Sequence, residues 1–159
     1  GNFGLGEFPL HTDLAHWYLP PRYVALRCCV GISNVATLLF DGRDLLRTFG
    51  ELTLRRTLVM PRRPLKGRRP LMPLLEKNNQ WGERLRWHSL FLLPATTESA
   101  ATFEQIRGFI ASTTPIAMEL REPGDTLVID NWRVLHGRSP VSTKNSPRQI
   151  ERSYLGALH

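Results

Sequence analysis

The most informative segment of the sequence is GDTLVIDNWRVLHGR, which occupies residues 124–138. Its first half, TLVID, is rich in β-branched and apolar residues and follows a Pro-Gly turn signal. Its second half contains a further β-rich run that ends in His136. The segment therefore predicts a strand, a turn and a second strand that ends in a histidine, a side chain able to bind a metal.

Short apolar runs and turn clusters alternate along the rest of the chain as well. Many short strands with one or two helices fit a β-sandwich or jelly roll better than a parallel α/β sheet, so we expect a mainly β, mostly antiparallel protein. The spacing of Phe103, Ile106 and Ile110 predicts a helix over residues 99–110. The other predicted elements are a short helix at 43–49 and strands at 23–30, 35–40, 52–60, 85–93 and 150–155.

The second candidate for metal chemistry is His11-Thr12-Asp13. On an extended segment the side chains of residues i and i+2 project to the same face, so one imidazole and one carboxylate can converge on a point. Together with His136 they would complete a 2-His-1-carboxylate triad, which leaves open positions on Fe(II). Taken alone, a His-x-Asp tripeptide is better explained as a surface turn before a strand.

Two arginines follow His136 at short range. Arg148 lies twelve positions after it and Arg152 sixteen positions after it. An arginine that pairs bidentately with a carboxylate could fix an oxo-acid beside a metal.

Three stretches of the chain together resemble a known enzyme family. They are PLHTDLAHWYLPPRYVALRC at 9–28, GDTLVIDNWRVLHGR at 124–138 and RQIERSYL at 148–155. They resemble the taurine dioxygenase and clavaminate synthase-like family of Fe(II)- and 2-oxoglutarate-dependent dioxygenases, to which the γ-butyrobetaine hydroxylases are related. The resemblance runs from about Phe8 to Leu155, and the segment DNWRVLHGR is its most specific part.

The resemblance implies a fold and a set of site residues. The fold is a double-stranded β-helix, or jelly roll, with one or two flanking helices, formed by residues 1–159 as a single domain. The implied iron ligands are His11, Asp13 and His136. The remaining implied roles are 2-oxoglutarate binding by Arg148 and Thr37, and, for Arg152, either substrate contact or reinforcement of the co-substrate pocket. Separately, His16 opens an aromatic run and could line the substrate pocket or simply pack.

The resemblance also implies an activity. The expected enzyme consumes O2 and 2-oxoglutarate, releases succinate and CO2, and oxidises a C–H bond of a small, anionic or amino-acid-like molecule, ordinarily by hydroxylation. The chain departs from the family in one respect, because only ten residues precede His11. We therefore expect a compact member, an N-terminally truncated one, or one that borrows strands in a homo-oligomer.

Composition narrows the class of protein. The chain has 159 residues with 42% hydrophobic and 22% charged residues, which is typical of one folded domain. It has no run of 18 apolar residues, so we expect no membrane span. Cys28 and Cys29 are adjacent on a predicted strand and would point to opposite faces, so we expect two reduced thiols and a cytoplasmic protein.

Positive charge is concentrated in one segment. The net charge is +7, and residues 61–70, PRRPLKGRRP, hold five positive charges. We interpret the segment as a solvated, Pro-rich surface loop, although it could attract phosphate groups or an acidic partner. It contains no aromatic residue for base stacking, which argues against nucleic-acid binding. A basic nucleic-acid-associated protein and a catalytically silent metal-binding jelly-roll module remain the two alternative functions.

Four further residues have structural interpretations. His88 lies in a predicted apolar strand and is expected to be a satisfied core histidine, and Trp132 is expected to be a core residue. Asn131 and Arg133 are expected to secure the turn that positions His136.

Overall fold

The computed structural model describes residues 6–31, 35–141 and 148–156. Within these ranges the chain forms twelve strands and three helices, which confirms the prediction of a mainly β protein. The strands are β1 (Phe8–His11), β2 (Tyr23–Val30), β3 (Thr37–Asp41), β4 (Leu58–Pro61), β5 (Met72–Pro73), β6 (Leu75–Asn78), β7 (Gly82–Leu85), β8 (Leu92–Pro94), β9 (Ile116–Met118), β10 (Thr126–Asp130), β11 (Val134–Arg138) and β12 (Gln149–Leu155). The helices are α1 (Arg43–Phe49), α2 (Glu51–Arg56) and α3 (Thr97–Ser112).

Two antiparallel sheets form the centre of the molecule. The first has the strand order β1-β11-β3-β9 and the second has the order β10-β2-β12. Neither order follows the sequence, so residues that are far apart in the chain become neighbours. The part of the chain between α2 and α3 forms two smaller sheets, with the strand orders β5-β4-β8 and β6-β7.

The four-stranded sheet has two different faces. Leu135 pairs with Phe40, and both belong to a core that also contains Phe103 and Ile106 of α3. The next residue, His136, pairs with Leu39, which packs against a second core formed by residues of β2 and β10. Since successive side chains of a strand alternate between faces, His136 projects toward the second sheet and away from the helix.

Helix α3 confirms the strongest helical pattern of the sequence. The side chain of Thr96 accepts a hydrogen bond of 3.0 Å from the Ser99 backbone N–H, which caps the first turn. Phe103 and Ile106 are buried, and the Phe103 ring lies 4.5 Å from the ring of Trp87, measured between centroids. The predicted short helix at 43–49 is confirmed as α1, and the predicted strands at 23–30 and 126–130 are confirmed as β2 and β10.

The strand predicted at 52–60 is wrong in its first half, where the chain forms α2 and only then β4. Leu52 is 58% exposed whereas Leu54 is fully buried, so the two side chains do not share one face as they would on a strand. Glu, Leu and Arg favour helix, with the acid in the first turn and the arginines in the last. These local preferences favour α2 over a strand.

The strand predicted at 85–93 is also wrong over most of its length, because β7 ends at Leu85 and β8 begins at Leu92. Arg86, Trp87 and His88 are all buried, which a strand with one buried face cannot achieve at consecutive positions. Their backbone is satisfied by other loops instead: the Arg86 N–H donates to the Leu74 carbonyl at 2.9 Å.

Other predicted boundaries need smaller corrections. The strand predicted at 35–40 begins at Thr37, and the strand predicted to end in His136 continues to Arg138, so His136 lies in the middle of β11. The two cysteines behave as expected, since Cys28 is buried, Cys29 is exposed and both are free. Among the described residues, no helix combines the length and apolar character that crossing a membrane requires.

Candidate metal centre

His11, Asp13 and His136 come together between the two large sheets. His11 is the last residue of β1 and lies opposite His136 of β11, so both imidazoles project from the same face of the sheet. Asp13 follows two residues after β1. One ligand atom from each of the three side chains lies within 4.8 Å of the others, and all three residues are buried.

The segment after β1 is held in place by two polar side chains. The Thr12 N–H donates to the Trp87 carbonyl at 2.8 Å, and the Thr12 hydroxyl accepts from the Trp87 N–H at 3.1 Å. The Asn131 side chain accepts from the Asp13 N–H at 2.6 Å and donates to the Asp13 carbonyl at 2.9 Å. The backbone of Asp13 is therefore fixed by residues that are distant in sequence.

The tautomer of His11 is suited to metal binding. The Nδ1 atom lies 2.8 Å from the Pro9 carbonyl oxygen, which can only accept, so the proton of the neutral imidazole lies on Nδ1. The lone pair of Nε2 then faces Asp13 Oδ1 at 3.0 Å, and His136 Nε2 lies 3.1 Å from the same oxygen. Acceptor atoms this close repel one another unless a cation or a proton lies between them. The arrangement thus fits a metal ion.

The charge state of the three ligands also fits a cation. Burial opposes ionisation of Asp13, but hydrogen bonds with His11 and His136, together with the charges of His136 and Arg152, outweigh it and hold the pKa of the Asp13 carboxyl well below its usual range. Burial lowers the pKa of His136, which favours its neutral form. A carboxylate and neutral imidazole nitrogens form the donor set that suits non-haem Fe(II).

Thr37, Arg148 and Arg152 lie around this cluster. On β3, Thr37 is two residues from Leu39, the partner of His136, so it projects from the same face about 7 Å along the strand. Arg148 donates to the Thr37 hydroxyl at 3.3 Å. Arg152 reaches across from β12 and lies 3.0 Å from Asp13 Oδ2. The structure therefore places all three residues on the side of the sheet that carries the metal cluster.

His16 and His88 lie beside the cluster, in contact with Phe91. His16 stands edge-on to the Phe91 ring with 5.6 Å between centroids, and it is not part of the ligand cluster. His88 stacks on the other side of Phe91 at 4.0 Å and lies 4.8 Å from the His11 ring. Burial lowers the pKa of His88 to about 3, so the ring is neutral.

The prediction that His88 is a satisfied core residue is correct in part. Its Nδ1 atom accepts hydrogen bonds of 3.3 Å from the backbone N–H groups of Leu90 and Phe91. The proton therefore lies on Nε2, which is buried and has no partner in the described part of the chain. His88 thus presents an unused donor close to the metal ligands.

Asn131 joins the turn before His136 to the segment of the metal ligands. Its side chain clamps the backbone of Asp13 and also donates to the Pro21 carbonyl at 2.9 Å. Arg133 pairs with Asp41 at the end of β3, at 2.7 Å. Trp132 is partly exposed, and its Nε1–H donates to the Pro20 carbonyl at 3.0 Å.

Sequence reasoning missed Arg86, which supports the segment after the metal ligands. Its guanidinium is fully buried and donates to the carbonyls of Ala15 at 2.8 Å and Trp17 at 2.6 Å. It also pairs with Glu76 at 3.0 Å. The available signal was an arginine inside an apolar run, which a buried strand would not tolerate without partners.

Solved structures share this architecture. A structure of asparagine oxygenase with Fe(II), 3-hydroxyasparagine and succinate superimposes with a TM-score of 0.77 at 20% identity, covering 98% of this chain and 51% of that one. The chain shares its fold with non-haem iron oxygenases. The non-haem iron oxygenase OrfP, bound to Fe and α-ketoglutaric acid, gives a TM-score of 0.69 at 20% identity over 95% of this chain and 50% of that one. PvcB from Pseudomonas aeruginosa gives 0.68 at 20% identity over 96% and 58%.

Neither a protein family nor a curated protein matches the sequence. The chain spans about half the length of the solved structures that it resembles.

Proposed function

We propose that the protein is an Fe(II)- and 2-oxoglutarate-dependent dioxygenase that oxidises a C–H bond of a small, anionic or amino-acid-like molecule. The observation that carries this proposal is the convergence of His11, Asp13 and His136 on one buried point. On this proposal the two facing sheets are the halves of a double-stranded β-helix, and residues 1–159 form one domain. The shared fold with non-haem iron oxygenases supports the proposal.

The three ligands have distinct roles in this scheme. His11 and His136 supply neutral nitrogen ligands, and Asp13 supplies the negative charge that partly neutralises Fe(II). When bound, Fe(II) supplies the oxidising chemistry: with O2 it converts 2-oxoglutarate into succinate and CO2 and hydroxylates the substrate. The Pro9 carbonyl holds the His11 ring in the tautomer that leaves Nε2 free for the metal.

Arg148 and Thr37 are proposed to bind 2-oxoglutarate. Arg148 is half-buried, and this burial lowers the pKa of its guanidinium, which nevertheless stays charged at any physiological pH. Its Nε is buried and unpartnered within the described residues. An unpaired, poorly solvated arginine beside a hydroxyl is a suitable receptor for the distal carboxylate of an oxo-acid. Arg152 pairs with Asp13 at 3.0 Å and is proposed to contact the substrate or to reinforce the co-substrate pocket.

The test is iron-dependent formation of succinate from 2-oxoglutarate under air. Wild type is compared with Asp13→Ala and with Asp44→Ala, which removes an exposed carboxylate that pairs only with Arg47 in the described structure. We expect succinate from wild type and Asp44→Ala, and at least a hundredfold loss in Asp13→Ala, because the anionic ligand is gone. Slow turnover without the true substrate is sufficient for this measurement.

Binding of Co(II) and 2-oxoglutarate is measured in parallel. If both bind but no succinate forms, the protein is a silent metal-binding module and the proposed activity is wrong. If Asp13→Ala binds the metal as tightly as wild type, the ligand assignment is wrong.

A further inference from the structure

A cavity lined by His16 and by residues of the 61–65 and 90–91 segments has no role in the scheme above. Its volume is about 510 Å³, which lies within the range of pockets that hold small molecules. One wall is apolar and aromatic, formed by Leu65, Leu90 and Phe91 together with the ring of His16. Arg62 and Arg63, the first two arginines of the basic 61–70 segment, also line the cavity and form its exposed rim.

The arginine rim lacks anionic partners. Within the described residues neither Arg62 nor Arg63 forms an ion pair, and no acidic side chain lines the cavity. Arg62 is held in the rim because its Nε donates to the Leu90 carbonyl at 2.7 Å and its backbone N–H donates to the Phe91 carbonyl at 2.8 Å. The cavity therefore combines an apolar wall with uncompensated positive charge at a fixed position.

Ring contacts connect the cavity to the metal ligands. Phe91 forms part of the cavity wall and stacks on His88 at 4.0 Å, and His88 lies 4.8 Å from the ring of His11. His16 also lines the cavity, and its Nδ1 atom is buried without a partner among the described residues. Only two ring contacts separate the cavity from a proposed iron ligand.

We propose that this cavity is the substrate pocket, and that the substrate has an apolar body and an oxyanion at the far end, bound by Arg63 and Arg62. This inference rests on the proposed function. It assigns two arginines of the basic 61–70 segment to substrate binding, whereas the sequence alone indicated a solvated surface loop. Phe91 and Leu65 contact the apolar body of the substrate, and His16 offers it a polar contact. The two arginines favour a substrate with a negatively charged group.

The test is isothermal titration of the Co(II)-loaded protein, saturated with 2-oxoglutarate, with three probes. 3-Phenylpropionate has a ring and a carboxylate, 3-phenylpropionamide is its neutral analogue, and propionate lacks the ring. We expect the acid to bind about tenfold more tightly than either the amide or propionate, because it alone uses both the arginine rim and the apolar wall.

Arg63→Gln and Arg68→Gln form a matched pair of variants. Both residues are exposed and belong to the same segment, but only Arg63 lines the cavity. We expect Arg63→Gln to reduce the preference for the acid over the amide to less than about threefold, and Arg68→Gln to leave it within about twofold of wild type. Equal effects of the two variants would show a diffuse polyanion-attracting surface and would overturn the inference.

The titration does not depend on turnover, so this inference and the proposed function can fail separately. Succinate formation without any preference for the acid, or without binding of either phenyl probe, overturns the pocket assignment and leaves the dioxygenase proposal intact. A preference that depends on Arg63 in a protein that forms no succinate supports the anion pocket and contradicts the activity.

Discussion

Asn131 joins the segment that carries Asp13 to the turn after β10, although it is not a metal ligand itself. It is fully buried, and its amide makes three hydrogen bonds, two to the backbone of Asp13 and one to the Pro21 carbonyl. Residues that orient metal ligands in this way affect metal affinity nearly as strongly as the ligands do. The position of Asp13 therefore depends on a side chain 118 residues away in sequence.

We expect Asn131→Ala to weaken both the fold and the metal site. Two carbonyls and one N–H lose their buried partner, so unfolding should become easier by about 2–4 kcal/mol. Co(II) affinity should fall about tenfold to a hundredfold. Urea denaturation and Co(II) titration measure the two effects. Asn78→Ala is the control, since Asn78 is exposed and its side chain accepts only from the Gln80 N–H; a similar loss of Co(II) affinity there would contradict this role for Asn131.

Single residues differ in how well the sequence reveals them. His11, Asp13 and His136 could be proposed because a short spacing and a specific motif surround them. The contacts of Asn131 and Arg86 could not be predicted, because each acts on backbone atoms of a remote segment and backbone acceptors leave no mark in sequence. The contact between Arg148 and Thr37 could be expected only through the family resemblance.

At the scale of elements, the approach of β1 to β11 determines how far apart His11 and His136 lie. Gly137 follows His136, and a Cβ at this position would lie 2.5 Å from the Phe8 carbonyl oxygen. Only glycine permits this close contact between the two strands. The register of the β1–β11 pairing also shifts between Phe8 and His11, so β1 already departs from regular pairing with β11.

We expect Gly137→Ala to displace β1 and with it His11. The clash involves backbone atoms, so the variant should lose about 1–3 kcal/mol of stability and bind Co(II) more weakly than wild type. Gly108→Ala is the matched control, because a Cβ at this position in α3 meets no atom within 4 Å. It should be neutral or stabilise the fold by up to about 1 kcal/mol and leave Co(II) affinity unchanged. Unchanged metal binding in Gly137→Ala would show that β1 tolerates the shift.

The elements that the sequence predicted correctly are those with a regular pattern and a single buried face. Helix α3 and strand β2 meet this condition, with Phe103 and Ile106 on one side of the helix and Val24, Leu26 and Cys28 on one side of the strand. Residues 86–88 do not, because all three are buried and their backbone is bonded by other segments. The spacing of apolar residues cannot predict the structure of such a buried, irregular segment.

At the scale of the whole molecule, the metal centre links the two large sheets. His11 and His136 belong to the first sheet, whereas Arg152 of the second sheet reaches Asp13. Arg148, immediately before β12, contacts Thr37 on β3 in the same way. Ligands bound here should therefore stabilise the folded state as a unit, because the unfolded chain keeps none of these sites together.

We expect divalent metal to raise the melting temperature of the protein. At a free Co(II) concentration about a hundred times Kd, binding contributes about 2.7 kcal/mol, which corresponds to about 5–10 °C for a chain of this size. Adding 2-oxoglutarate should raise the melting temperature further, but only when metal is present, since the co-substrate is proposed to bind both the metal and Arg148. Differential scanning calorimetry measures both increments.

Two variants separate the contributions. Asp13→Ala should lose both increments, because 2-oxoglutarate depends on the metal, while Arg148→Gln should keep the metal increment and lose the 2-oxoglutarate increment. Asp44→Ala should keep both, since its carboxylate lies outside the site. If 2-oxoglutarate stabilised the metal-free protein as strongly as the metal-loaded one, the oxo-acid would be bound by charge alone. The proposed joint site of Arg148 and the metal would then be wrong, even if the metal ligands were correctly assigned.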